Sequence, residues 1–325
     1  MKFYLKQFYY ILFIPIYFLE IILFKFFKIK NSNLSYYAMV NYFCLSGGWS
    51  NNILHNFLKK TPNQTDGNLD LHNLKKNGYE MKKNYLDKNF VTKIKNDLST
   101  LDGYWLGDKY NSRKKEKLSK EIKSTKYYYS AEDLVKLKSI QSFLIDDKLM
   151  NVARGYLNAE PILYNINCWY NFPSKTPDTN AAQLWHYDMD RPKWLKVFVY
   201  LTDCGKDNGP HCFVRGSHRN NSIPFKFRKL GYSRINDVEI TKEFPEKDIL
   251  EYKFSEGDMV IEDSRGLHKG KQVITEHRLI LQIEYASSLF GGFYNKPALN
   301  KSECDKNFYE VASSNSYNFQ GIKIN

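Results

Sequence analysis

The feature that most constrains this chain is an abrupt change of texture at Glu160-Pro161. After it come six short runs rich in aromatic and β-branched residues, at 162–172, 194–203, 211–215, 249–254, 258–263 and 278–287. Turn residues separate them: Asp207-Asn208-Gly209-Pro210, Gly216-Ser217 and Glu256-Gly257-Asp258. Runs this short cannot bury a core singly and must pair into sheets. Before the change, apolar residues recur at helical spacing. Helices followed by many short strands predict an α+β, mainly β architecture: a sandwich or barrel with helices packed on one face. An aromatic share of 16%, carried by 25 Tyr and 22 Phe, suits a pleated surface.

The helical half divides further. Residues 86–101 place apolar side chains at helical spacing with lysines between them. Ser130 followed by Asp133 is an N-terminal capping signal for a helix at 131–144, and a second helix is expected at 147–157. Residues 1–75 read as a helical, apolar region with soft stretches at 46–52 and 61–68. Residues 76–295 then form the strand-rich domain with its flanking helices, and 296–325 a C-terminal tail.

The formal charge of +13 would suit nucleic acid or an anionic membrane. The lysines are scattered among asparagines, however, as on any solvated surface. The densest run, 113–126, is interrupted by Glu116 and Glu121 and has no aromatic residue among its charges to stack a base. No nucleic-acid partner is expected. Five widely spaced cysteines fit neither a zinc site nor a disulfide framework, and imply reduced thiols in a cytoplasmic protein.

An apolar run begins at Phe8 and ends at Phe24, with lysines on both sides and only Pro15 and Glu20 interrupting it. It is short for a membrane span, and no cleavage site follows. On a helical wheel Lys6, Gln7, Glu20, Lys25 and Lys28 share one side. An interfacial helix, a helix buried on the domain and a membrane anchor all fit; peripheral membrane contact through this run is the expectation.

The chemistry concentrates in the stretch LWHYDMD, residues 184–190. On an extended segment His186 and Asp188 point the same way, while Tyr187 faces elsewhere. His268, in SRGLHKG, is the candidate third ligand. Two histidines and one carboxylate on one face leave open metal positions, the arrangement of non-haem Fe(II) oxygenases. Ten positions beyond His268, Arg278 heads the strand RLILQIEYA. There Arg278, Ile280, Gln282 and Glu284 form a polar stripe opposite Leu279, Leu281, Ile283 and Tyr285. A guanidinium so placed can hold a carboxylate with two hydrogen bonds.

Three segments, LWHYDMDRPKWLKVFVYLTDCGKDNGPHCFVRGSHR, GDMVIEDSRGLHKG and HRLILQIEYA, resemble the phytanoyl-CoA dioxygenase family of Fe(II)/2-oxoglutarate-dependent oxygenases. The resemblance covers about residues 160–290, extends loosely to Asn77-Gly78-Tyr79 and does not reach the first 70. It implies a double-stranded β-helix (jelly roll, cupin-like). It also implies Fe(II) held by His186, Asp188 and His268, Arg278 on the distal carboxylate of 2-oxoglutarate, and O₂ as oxidant. Asp188 argues for hydroxylation, because related halogenases carry a small residue there. One departure is Gly270, where many members have a hydroxyl residue that supports the co-substrate carboxylate.

Alternation along 194–203 sets Lys196, Phe198 and Tyr200 on the inner face and Leu195, Val197, Val199 and Leu201 on the core face. Lys196 then pairs with 2-oxoglutarate or an anionic substrate, or else snorkels to the rim. Phe198 and Tyr200 are expected to wall the pocket. Asn167 is a candidate hydrogen-bond donor to the co-substrate, and Trp169 beside it reads as core. His211, His218 and His277 read as structural or surface residues, Arg265 as approaching the site mouth, and Asp190-Arg191 as a rim ion pair or a substrate contact. The substrate is expected to be a small molecule, a lipid or a glycan precursor. A catalytically inactive jelly-roll binding module and a cupin-type metalloenzyme without 2-oxoglutarate are the alternatives.

Overall fold

The structure, a computed structural model, describes residues 2–62, 71–106, 114–178 and 181–325, with side chains from residue 9 onward. Most of the soft stretch expected at 61–68, and Arg113 of the basic run, lie outside the described residues. The strands that build the core are β1 (Tyr79–Lys82), β2 (Tyr104–Trp105), β3 (Lys126–Tyr129), β4 (Ile162–Asn171), β5 (Trp194–Tyr200), β6 (His211–Val214), β7 (Ile249–Tyr252), β8 (Met259–Glu262), β9 (His268–Gly270) and β10 (Arg278–Ala286). They form a seven-stranded sheet of order β1-β8-β5-β10-β4-β3-β2 and a three-stranded sheet of order β7-β6-β9. Every pairing within them is antiparallel. The two sheets make the jelly roll.

The chain order of helices is α1 (Lys2–Phe27), α2 (Asn33–Ser46), α3 (Trp49–Leu58), α4 (His72–Asn77), α5 (Lys88–Ser99), α6 (Ala131–Leu134), α7 (Lys138–Leu144) and α8 (Asp147–Leu157). Asp87 caps α5 by accepting from the Phe90 N–H, and Asp146 caps α8 through Lys148 and Leu149. The outer face of the large sheet carries the main core. Leu195, Val197, Val199 and Leu201 of the β5 segment join Leu279, Leu281, Ile283 and Tyr285 of β10. Val91, Ile94 and Leu98 of α5, and Leu149, Ala153 and Leu157 of α8, close over them. Strict alternation then turns the other stripe toward the small sheet.

Register determines what that inner stripe contains. Ile280 lies between Tyr200 and Trp169, Gln282 between Phe198 and Asn167, and Glu284 between Lys196 and Asn165. A slip of one residue would send the aliphatic set inward and the polar set into the helices, so burial on both faces fixes the pairing.

Two expectations need correction. The helix expected at 131–144 is two short ones, α6 and α7. Between them Gln141 donates its amide to the Val135 carbonyl (2.8 Å), and the Ser139 hydroxyl bonds Asp97 (2.6 Å), side-chain bonds that compete with a continuous helix. Residues 296–325 are no loose tail: a helix at Lys306–Ser314 buries Phe308 and Ala312 in the main core, with Leu299, Phe319 and Ile322.

A buried ion pair ties the helical layer to the loop before β9. Asp263 and Arg265 are 2.5 Å apart, and the Tyr156 hydroxyl of α8 donates to Asp263 (2.6 Å). Burial opposes ionisation of Asp263, yet the Arg265 guanidinium outweighs it and brings the pKa down to about 2. A depressed carboxylate pKa contributes stability above its unfolded value, roughly 4, and loses it as pH falls toward the folded value. Asp263→Asn should therefore destabilise the protein by about 3–5 kcal/mol at pH 7 by stranding Arg265. Its disadvantage should shrink as the pH is lowered from 4 toward 2, read from denaturant midpoints of both proteins across that window.

Candidate active site

The segment carrying His186 and Asp188 runs beside β9 and extends the small sheet. The His186 N–H donates to the His268 carbonyl (3.0 Å), and the His268 N–H donates back to the His186 carbonyl (2.8 Å). Two residues that exchange both bonds are directly opposed, with side chains on the same face. The rings accordingly lie 4.2 Å apart between centroids. Trp185 makes the same double exchange with Ile235, and the Asp188 N–H donates to the Ser264 carbonyl (2.8 Å). Trp185, Tyr187 and Met189 enter an apolar cluster with Val40, Phe43 and Leu267, so alternation turns His186 and Asp188 the other way.

Each imidazole is oriented by the main chain. Nδ1 of His186 is 2.9 Å from the Leu184 carbonyl, and Nδ1 of His268 is 3.0 Å from the Gly266 carbonyl. A carbonyl only accepts, so both Nδ1 atoms carry a proton and Nε2 is the ring atom that each histidine turns toward Asp188. Asp188 oxygens lie 3.9 Å from Nε2 of His186 and 3.5 Å from Nε2 of His268. The three side chains are buried, and their ligand atoms all fall within 4.8 Å of one another. Burial, followed by the neighbouring His268, holds His186 well below the usual histidine range, so it is neutral. At Asp188 burial opposes ionisation, but Lys196 and the two imidazoles outweigh it and keep the carboxyl anionic. A neutral imidazole at His186 and a carboxylate at Asp188 are donor states that a first-row divalent metal requires.

Lys196 sits 2.7 Å from Asp188 Oδ2, with Glu284 at 3.9 Å and Asp190 at 4.0 Å. It neither snorkels to the rim nor stands free for an anion. A carboxylate cluster engages it where it lines the cavity.

The cavity beside the triad measures about 330 Å³. Asn167, Trp169, Phe198 and Arg278 line it as read from the sequence, apart from Trp169, which had been assigned to the core. Arg278 donates through Nη1 to the Gly209 carbonyl and through Nη2 to Asn171 Oδ1 (2.8 Å), while its buried Nε has no protein partner. A Cβ on Gly270 would lie 2.8 Å from Arg278 Nη2. The guanidinium occupies the room a side chain would need, and Asn171 on β4 is its side-chain partner.

Tyr200 was expected to wall the pocket but does not line it. It is fully buried and stacks on Phe254 at 3.9 Å. Arg265 pairs with Asp263 instead of reaching the mouth. Asp190 accepts from the Tyr232 hydroxyl (2.9 Å), and Arg191 lies over the Tyr164 ring, so the two do not form the expected rim pair. His211 does line the cavity, its Nε2 2.6 Å from Glu262. His218 bonds the Lys75 carbonyl, and His277 is exposed.

Among the lining residues that sequence reasoning missed are Lys126, Tyr232 and Arg234. Lys126 of β3 places its ammonium 4.5 Å from the Trp169 ring centroid, and burial, then Arg278, lowers its pKa to about 8. Tyr232 and Arg234 come from the loop before residue 235. Nothing in a single sequence pairs β3 with β4, so only the aromatic run after Lys126 hinted at a strand there.

The jelly roll and its site define a non-haem Fe(II)/2-oxoglutarate-dependent oxygenase. The chain belongs to the phytanoyl-CoA dioxygenase (PhyH) family, whose model matches residues 74–279. Among solved structures it is similar to HygX from Streptomyces hygroscopicus with nickel and 2-oxoglutarate bound. Identity is 15%, over 73% of this chain and 92% of that one, with a TM-score of 0.49. It is also similar to EctD from S. alaskensis with 2-oxoglutarate and 5-hydroxyectoine, at 16% identity over 70% and 78% of the two chains and a TM-score of 0.47. The α-ketoglutarate-dependent epimerase SnoN from nogalamycin biosynthesis matches at 16% identity over 66% and 80%, with a TM-score of 0.44. No curated protein sequence matches.

Removing the Lys196 ammonium takes the shared cation from Asp188, Asp190 and Glu284. Lys196→Met should cost the metal-free protein roughly 3–5 kcal/mol, measured by urea unfolding with chelator present.

Proposed function

We propose that this chain holds one Fe(II) through Nε2 of His186, Nε2 of His268 and a carboxylate oxygen of Asp188, and hydroxylates a C–H bond of a small molecule. The observation that carries this reading is the directly opposed histidine pair, its two Nε2 atoms converging with Asp188 at one side of a cavity. Fe(II), 2-oxoglutarate and O₂ together supply an oxidative decarboxylation of the co-substrate coupled to oxidation of the substrate. The protein's part is to hold and orient. Lys196 fixes one Asp188 oxygen and leaves the other for the metal. The main-chain carbonyls of Leu184 and Gly266 lock both imidazoles in the ligating tautomer.

Arg278, oriented by Asn171 and the Gly209 carbonyl, grips the distal carboxylate of 2-oxoglutarate, and Lys126 adds a second positive charge there. Asn167 hydrogen-bonds the co-substrate, and Phe198 closes the wall against water. The retained carboxylate at Asp188 favours hydroxylation. The substrate is a small molecule, a lipid or a glycan precursor, in a cytoplasmic setting with peripheral membrane contact through the run from Phe8 to Phe24.

Anaerobic addition of 2-oxoglutarate to the Fe(II) protein should give a visible metal-to-ligand charge-transfer band; wild-type protein without it would defeat the reading. Asp188→Ala should lose the band and release iron on dialysis, whereas undiminished turnover would show that the ligand set is wrong. Arg278→Ala should raise the 2-oxoglutarate concentration for half-maximal succinate release by about 10–100-fold, the effect of a lost charged hydrogen bond. An unchanged value would move the anchor to Lys126.

A further inference from the structure

The N-terminal helices carry a surface that the oxygenase reading does not use. α1 is docked by one side over about three turns, where Tyr10, Phe13, Tyr17 and Ile21 pack on Ala38, Met39, Leu54 and Phe290. The Tyr42 hydroxyl also donates to the Tyr10 carbonyl (2.7 Å). Between residues 9 and 27 only Glu20 and Lys25 are charged, and both turn to internal partners. The Glu20 carboxylate accepts from the Ser32 N–H (2.6 Å) and hydroxyl (2.8 Å). The Lys25 ammonium donates to the Phe57 carbonyl (2.6 Å) and lies 3.8 Å from the Phe57 ring centroid.

What α1 leaves facing outward is therefore apolar: Leu12 is 66% exposed, Phe18 58% and Phe26 64%. α3 continues the same surface. Trp49, Ile53 and Phe57 recur every four residues along it, with Ile53 70% exposed, while Leu54 between them joins the cluster under α1. The Lys25–Phe57 contact sets the two stripes side by side. Exposed apolar surface on this scale marks an interaction site.

Charge selects the partner. No acidic residue occurs between Glu20 and Asp66, whereas Lys28, Lys30, Lys59 and Lys60 follow the ends of α1 and α3. An apolar face edged by cations, with a tryptophan on it, matches the interface of an anionic bilayer. The 19 residues of Tyr9–Phe27 have a mean hydropathy of 2.0 and are long enough to cross a membrane. A helix packed along its side on a catalytic domain cannot cross without drawing that domain into the hydrocarbon, but it can lie flat and immerse its outer face.

We propose that the outer faces of α1 and α3 together form an in-plane docking surface for an anionic lipid bilayer. This extends the peripheral contact inferred for the apolar run by adding a second helix, a cationic edge and a fixed orientation. The helix beneath α1 reaches the site: the Tyr36 hydroxyl of α2 is 3.3 Å from that of Tyr232, which lines the cavity.

The test is co-sedimentation of the full chain with vesicles of phosphatidylcholine alone or mixed with phosphatidylserine. Wild type should pellet with the mixed vesicles, and less so as salt is raised. Trp49→Ser/Ile53→Asp should lower the bound fraction about tenfold or more while keeping the wild-type melting temperature, since both side chains point outward. Absence of pelleting with the mixed vesicles would overturn the proposal, as would equal pelleting of wild type and variant. So would analytical ultracentrifugation showing a wild-type dimer that the same variant dissociates, because a second copy would then cover the face. The charge-transfer band with 2-oxoglutarate, read in vesicle-free solution, reports separately on the oxygenase reading.

Discussion

Everything at the site depends on a backbone exchange between two histidines. His186 and His268 are remote in sequence and meet because each donates its N–H to the other's carbonyl. That pairing sets the ring separation and puts both side chains on one face, where the carbonyl two residues back accepts a hydrogen bond from each Nδ1. Asp188 follows from the same register, two residues along an extended segment whose intervening side chain, Tyr187, is held in an apolar cluster. No side-chain contact has to be found by search. Once the strand edge is paired, the three donors have little freedom left.

Much of this was legible. The alternation along β5 and β10 showed which residues face the core and which face inward, because aliphatic and polar stripes cannot exchange without burying charge against the helices. The His-x-Asp spacing and His268 marked the donors. Depth along a strand was not legible: Tyr200 faces inward as expected, yet Phe254 from another segment covers it. Position across the sheet was not legible either, since Lys126 reaches the site only through the pairing of β3 with β4. Residues 296–325 looked like a tail because Phe308, Ala312 and Phe319 are scattered among lysines and asparagines. Their burial depends on a surface that α7 and β4 supply.

Gly270 shows how a departure from a familiar pattern can be read physically. A side chain at that position would support an arginine from below. Here the guanidinium lies so close to Gly270 that a Cβ would crowd Nη2, and its bonds come from Asn171 and the Gly209 carbonyl instead. The support has moved from β9 to β4 and the turn before β6, with the arginine itself filling the space.

The two sides of the cavity are charged in opposite senses, and this bears on what it accepts. Around the histidines, three carboxylates, Asp188, Asp190 and Glu284, share the one ammonium of Lys196. At the other side, Arg278 and Lys126 have no ion-pair partner among the described residues, and burial, then Arg278, lowers the pKa of Lys126. Surplus negative charge beside the two imidazoles lowers the free energy of a divalent cation. Surplus positive charge in a poorly solvated pocket lowers that of a dicarboxylate. Each imbalance destabilises the protein alone, and each is relieved by the ligand its chemistry selects. A cavity polarised this way favours binding metal and co-substrate together, since neutralising one side leaves the field of the other to orient a molecule that spans them.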